Sequence, residues 1–261
     1  MQLRIFIITL ISIMASAIFA QESPVVLATI TPAITSTPTV LATEEAFVEP
    51  KTVLIQASDG ALLVADFYLV DPLSPTIILA HQLYTNRHSW EFVISPLIGE
   101  HYNILAIDLR GYGQSSSSIN WRSAVTDMQL WFDWLRTTGE VRADAISTMG
   151  SSMGSTLAIV GCANDALCKT AIAISPGWDY YGIQIEDALT TGLNTRPSLI
   201  LYAERDRWPA LGMPQIEAAA TNPMTIEMFP ANAHGIDLIK TYEEEIMTMI
   251  IDWFALYSGR L

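Results

Sequence analysis

From Lys51 onward, short unbroken apolar runs alternate with longer stretches in which apolar residues recur every three or four positions. The first kind of run reads as a strand buried on both faces, the second as an amphipathic helix with one face on a core. TVLIQASDGALLVADFYLV is two apolar segments around Asp59-Gly60, a hairpin dipeptide, and predicts two antiparallel strands. TIILAH (76–81) predicts a third strand, with a helical stretch over 87–100 after it. NILAIDLR (103–110) is strand-like, and NWRSAVTDMQLWFDWLRTT (120–138) is helical, with Val125, Met128, Trp131 or Phe132, and Leu135 on one face. ADAISTM (143–149) predicts the next strand and 152–163 the helix behind it. TAIAIS (170–175), SLILYA (198–203) and MTIEMF (224–229) predict three further strands, and a final helix covers 236–257.

A hairpin followed by strands that alternate with helices describes an α/β protein. Its mostly parallel central sheet has about eight strands, with helices on both faces. In such sheets ligands bind at the carboxyl ends of the strands, so the residues just past each strand carry the functional question.

After ADAISTM comes Gly150-Ser151-Ser152-Met153-Gly154, a G-x-S-x-G pattern between a predicted strand and a predicted helix. Only Ser152 has glycine two positions away on both sides; Ser151 has Met149 and Met153 there. The plainer reading is a serine-rich helix cap. A serine hydroxyl needs a base to become a nucleophile. Of four histidines, His234 lies in FPANAHGIDLI, after the last strand and before the final helix, where it can reach the strand ends. His81 ends the third strand, while His88 and His101 fall on or beside a surface helix. An acid must then hold the imidazole in its working tautomer. SLILYAERDRWP offers Glu204 and Asp206; Asp206, at the start of the loop, is preferred. Asp237 is a rival that reads better as a helix cap.

The order Ser152, Asp206, His234, each after a separate strand, resembles the α/β-hydrolases, and the resemblance covers residues from about 51 to 261. Four motifs carry it: GSSMG; AERD, similar to the family's Gly-x-x-Asp loop with Ala203 in the glycine's place; AHG around His234; and DLRGYGQS (108–115), similar to Asp-x-Arg-Gly-x-Gly-x-Ser. In the last, Asp108, Arg110, Gly111 and Gly113 read as shaping a tight loop behind the site. The resemblance implies an oxyanion hole from two backbone N–H groups, those of Met153 and of a residue after the third strand. There the family often has His-Gly; here the chain reads His81-Gln82-Leu83, which makes Leu83 the second donor and puts Gln82 where a glycine is usual. The Gln82 amide is itself a potential donor, and His81 is expected to hydrogen-bond within the loop. Only residues 176–197 separate the sixth strand from the acid's strand, room for one short helix and no lid domain. Tyr84, Trp178, Tyr180, Tyr181 and Trp208 lie near strand ends; each reads first as core or rim packing and second as the lining of an apolar acyl pocket.

Composition narrows the partners. A formal net charge of −14 disfavours nucleic acid and anionic lipid. GSSMGS lacks the lysine of a phosphate loop, and nothing implies a metal, flavin or nucleotide, so no cofactor is expected. Residues 1–20 have the layout of a secretory signal peptide: Arg4, an apolar run from Ile5 to about Phe19, and small residues before a cut. An uncleaved N-terminal anchor is the alternative. Residues 21–50, rich in Thr and Pro, read as a disordered or polyproline-like spacer. That leaves 51–261 as the folded domain. Cys162 and Cys168 form a candidate disulfide in an exported chain, with free buried thiols as the alternative. The expectation is an exported serine hydrolase, without stable membrane insertion once the signal is cleaved, that cleaves small or accessible carboxylic esters through an acyl-enzyme. Aminopeptidase-like amide hydrolysis and a non-catalytic binding protein on the same fold are the alternatives. Oligomeric state is left open.

Overall fold

The computed structural model describes residues 48–138 and 140–260. The expected signal peptide, and all but the last three residues of the expected spacer, lie outside them.

The strands, in chain order, are β1 (Lys51–Gln56), β2 (Leu62–Tyr68), β3 (Thr76–Ala80), β4 (Asn103–Ile107), β5 (Ile146–Ser151), β6 (Cys168–Ile174), β7 (Asp179–Tyr180), β8 (Ile183–Gln184), β9 (Ser198–Ala203) and β10 (Met224–Phe229). Among the described residues, eight of them form one sheet in the order β1-β2-β4-β3-β5-β6-β9-β10, and β7 and β8 pair only with each other. β1 and β2 are antiparallel across the Asp59-Gly60 turn, where Gly60 takes φ +87°. β2 meets β4 antiparallel, and every later pairing in the sheet is parallel. This is the mostly parallel eight-strand sheet that the alternation of runs predicts.

The helices are α1 (Glu91–Gly99), α2 (Trp121–Thr138), α3 (Met153–Asn164), α4 (Arg207–Ala219), α5 (Ile236–Thr241) and α6 (Glu243–Tyr257). One face of the sheet buries Met128, Trp131 and Phe132 of α2, Leu157 of α3 and Ile216 of α4. The other buries Val93 and Leu97 of α1, Leu238 of α5, and Ile250 and Phe254 of α6. With helices on both faces, the central strands lose all contact with water; all five residues of β3 are buried, which is why they form an unbroken apolar run.

Four elements differ from the sequence expectation. The inner face of α2 also buries Ala124 and Asp127, and Val125 sits at its half-buried edge. The final helix is broken at Tyr242 (φ −125°, ψ 44°), whose ring packs on Phe229 with centroids 4.9 Å apart. Three consecutive glutamates, Glu243–Glu245, then favour a fresh helix start, because the N-terminal end of the helix dipole is positive. Helix α4 has no counterpart in the apolar pattern, since Pro209, Gly212 and Pro214 interrupt it; Pro209 falls in the first turn, where a missing N–H costs little. Within 176–197 the one short helical turn, of π type at Ala188–Gly192, is preceded by the β7–β8 ribbon, which the sequence does not suggest.

Cys162 and Cys168 are joined, with Sγ–Sγ 2.07 Å, so the end of α3 is bonded to the start of β6. Arg196 fills the same corner: its guanidinium donates to the carbonyls of Cys162 (2.7 Å), Asp165 (2.5 Å), Ala163 (3.2 Å) and Cys168 (3.2 Å). These include carbonyls at the C-terminal end of α3, which have no partner within the helix.

Candidate active site

β5 runs to Ser151 and α3 begins at Met153, so Ser152 alone makes the turn between them. Its backbone sits at φ 53°, ψ −119°, a region closed to most side chains and costing on the order of 1–3 kcal/mol. Neighbours hold it there. The Ser152 N–H donates to the Ile174 carbonyl of β6 (2.8 Å), and its carbonyl accepts from Ser155 N–H (2.9 Å) and Ser155 Oγ (2.5 Å). The two glycines have a steric reason. A Cβ on Gly150 would collide with the Gly154 carbonyl, and one on Gly154 with the carbonyls of Ala80 and His81 at the end of β3. Helix and strands thus pack backbone to backbone on either side of Ser152.

The histidine loop brings His234 Nε2 to 2.6 Å from Ser152 Oγ, and His234 Nδ1 to 2.6 Å from Asp206 Oδ2. A carboxylate oxygen only accepts, so Nδ1 carries the proton, and Nε2 is left to accept from the serine hydroxyl. Asp206, at the head of α4, is buried, whereas Glu204 and Asp237 are exposed. His88 is exposed and paired with Glu91 at 3.3 Å, and His101 is exposed. The structure therefore brings together Ser152, His234 and Asp206, and leaves the rival residues apart from them. Beyond His234, Gly235 N–H donates to Ser175 Oγ and Ile236 N–H to Gln82 Oε1, both at 2.9 Å.

The loop after β3 is tightly organised. His81 is fully buried, and its Nε2 accepts from Leu109 N–H (3.0 Å). Its Nδ1 therefore carries the proton and donates to the Gln82 carbonyl (2.7 Å), as expected for a histidine bonded within the loop. Burial pushes the His81 pKa below its ordinary value, which favours this neutral form. Thr85 Oγ1 donates to the same carbonyl (2.8 Å). Gln82 holds its amide oxygen, not its nitrogen, toward the site's frame: Oε1 accepts from Ser151 Oγ (2.8 Å) as well as from Ile236 N–H. Because a backbone N–H can only donate, the atom facing it must be the oxygen.

The Asp108 loop frames this region from behind. Asp108 accepts from Arg87 N–H (2.8 Å), Arg87 Nη1 (2.5 Å) and Gln114 N–H (2.7 Å), and Arg87 Nε donates to Asp66 Oδ2 (2.6 Å). Arg110 is held by Asp127 (Nε, 2.8 Å; Nη2, 2.5 Å) and Asp59 (Nη1, 2.7 Å). Arg87 has no warning in the sequence beyond being a charge at the edge of an apolar stretch; its partners lie 21 positions away on either side.

Ser152 and His234 open onto a cavity of about 600 Å³, lined also by Leu83, Met153, Trp178, Asp179, Tyr180, Tyr181, Trp208 and Leu211. Met153 is the first residue of α3, so its N–H has no acceptor within the helix. Four of the five expected aromatic residues are here. Tyr84 is the exception: it is 88% exposed and is not part of the wall, because its backbone at φ 61° turns with the loop out to the surface. Among the described residues that line the cavity, none is a lysine or an arginine.

A family model described as alpha/beta hydrolase fold matches residues 75–204. No curated protein matches the sequence. Among solved structures, the chain is similar to the Pyrococcus furiosus esterase Pf2001 (TM-score 0.69, 19% identity, covering 81% of this chain and 94% of that one). It is also similar to acetyl xylan esterase 1 from Thermoanaerobacterium sp. (TM-score 0.66, 14% identity, 81% and 85%) and to the alpha/beta hydrolase GrgF from Penicillium sp. (TM-score 0.67, 14% identity, 81% and 100%).

Proposed function

Because this chain has the α/β-hydrolase fold, we propose that it is an exported serine hydrolase that cleaves small or accessible carboxylic esters. The observation that carries the reading is the unbroken hydrogen-bonded chain from Ser152 through His234 to Asp206, opening on an apolar cavity. Ser152 Oγ attacks the acyl carbonyl while His234 Nε2 takes its proton. Asp206 keeps the other ring nitrogen protonated and stabilises the imidazolium. The N–H groups of Met153 and Leu83 receive the oxyanion. His234 then returns the proton to the departing alcohol, and water, activated by the same histidine, releases the acid.

The absence of lysine and arginine from the described lining, which does hold Asp179, favours neutral acyl groups over anionic ones. Amide hydrolysis is the second reading. One observation favours it: Asp179, its carboxylate held by Gly182 N–H (2.8 Å) and Gln184 Nε2 (3.2 Å), brings a negative charge to the cavity wall, the complement of an aminoacyl substrate's ammonium. The export reading is supported by the layout of residues 1–20 and by the Cys162–Cys168 bond, which an oxidising compartment preserves. No helix among the described residues is long and apolar enough to cross a membrane.

A fluorophosphonate probe tests the site. The wild type should be labelled and Ser152→Ala should not; equal labelling of both sinks the assignment of Ser152, and labelling of neither sinks it and leaves a binding protein as the better account. A p-nitrophenyl acyl-chain series beside aminoacyl-nitroanilides separates ester from amide. Sequencing the N-terminus of the protein recovered outside the cytoplasm checks export and cleavage.

A further inference from the structure

Gln82 stands beside both the Ser152 turn and the His234 loop without touching the reacting atoms. It precedes Leu83, the proposed oxyanion donor. Its Oε1 accepts from Ser151, the residue before Ser152, and from Ile236, two residues after His234. Gly235 lies so close that a Cβ there would collide with both Gln82 Oε1 and Ser151 Oγ. One amide oxygen therefore ties the ends of three separate strands' loops at one point.

The backbone of Gln82 is held as firmly as its side chain. Its carbonyl accepts from His81 Nδ1 (2.7 Å) and Thr85 Oγ1 (2.8 Å). A trans peptide is planar, so its C=O and the N–H of the next residue point in opposite directions. Fixing the Gln82 carbonyl therefore fixes the direction of the Leu83 N–H. A glycine at position 82 could make the backbone contacts but not the link to Ser151 and Ile236.

We propose that Gln82 is a positioning residue. It sets the Leu83 N–H, the Ser152 turn and the His234 loop at the mutual distances the transition state needs. This rests on the serine-esterase reading above. A misplacement of about 1 Å at a reacting centre can cost on the order of a hundredfold in rate, and part of that cost appears only in the transition state.

The test is Gln82→Leu, which keeps the side chain's bulk and removes the acceptor. Activity is expressed per serine titrated by the fluorophosphonate, so that misfolded protein drops out. The expected result is a fall in kcat of about tenfold to a hundredfold, with KM changed by less than about threefold. Affinity for an alkylboronic acid, a tetrahedral mimic, should fall by the same factor as kcat/KM. A residue that merely packs two loops together would lower the titratable fraction and the unfolding midpoint, but not turnover per labelled serine. If Gln82→Leu does not fold, Gln82→Asn, one methylene shorter, withdraws the oxygen from both donors and is read in the same way. A labelled wild type together with a variant of unchanged kcat per serine overturns the positioning role alone. A wild type that does not label overturns the esterase reading and this role with it.

Discussion

Replacing Gly154 with alanine tests whether backbone contact, and not the serine alone, builds the site. The added Cβ would lie inside van der Waals contact of the Ala80 and His81 carbonyl oxygens. An ordinary carbon contact sits at roughly 3.5 Å, so the start of α3 must retreat from β3 by on the order of 1 Å. The obstructing atoms are main chain in a fully buried strand and its first loop residue, so no side chain can swing aside. Overpacking of this kind costs about 1–3 kcal/mol of stability. The same shift separates the Met153 N–H from the Leu83 N–H across the proposed oxyanion hole, and should lower kcat by about a hundredfold. Urea unfolding gives the first quantity, and burst titration followed by steady-state p-nitrophenyl butyrate hydrolysis gives the second. If Gly154→Ala unfolds within about 0.5 kcal/mol of the wild type and keeps its kcat per titrated serine, the close approach of α3 to β3 does not position the site.

Three further outcomes follow from the geometry. Asp206→Asn should lower kcat by as much as about 10⁴-fold, through loss of the correct imidazole tautomer, while Glu204→Gln and Asp237→Asn should leave it unchanged; steady-state kinetics on the three variants decides. His81 has a folded-state pKa below the ordinary value of about 6.5, so below that pH the unfolded chain binds the extra proton. Its stabilising contribution is complete above about pH 6.5 and is lost as pH falls toward the lowered folded-state pKa; urea titrations between pH 5 and 8 should show a slope there that His81→Gln lacks. Removing the disulfide as Cys162→Ser with Cys168→Ser should cost about 2 kcal/mol, the loop-closure value for so short a loop; an unfolding midpoint unchanged from the oxidised wild type would refute it.

The sheet was legible because its central strands are buried on both faces, and burial on both faces leaves an unbroken apolar signature in one dimension. β9, buried along nearly its whole length, matches the apolar run SLILYA residue for residue, while β10, the half-exposed edge strand, matches MTIEMF, where polar and apolar residues mix. The turn at Ser152 was legible for a different reason: two backbones in contact tolerate only glycine, so Gly150 and Gly154 leave their mark at fixed spacing. What escaped reading depends on long-range side-chain partners. Gln82 reaches residues 69 and 154 positions away, and the sequence shows it only as a departure from a glycine and a potential donor, whereas its amide oxygen accepts. Tyr84 counted as a wall residue because nothing in QLYT reveals that its backbone turns outward. The break at Tyr242 follows from its packing on Phe229, a tertiary contact that overrides a continuous helical pattern.

Helix α3 carries the strained residue at one end and the disulfide, with the Arg196 cap, at the other. It is a beam clamped at both supports. At twelve residues, it spans about 18 Å. Both ends of the helix are tied to one strand: the Ser152 N–H bonds to Ile174 at the last residue of β6, and the sulfur bridge joins Cys162 to Cys168 at its first. Helix and strand thus close a frame, with the turn at one corner and the disulfide at the other.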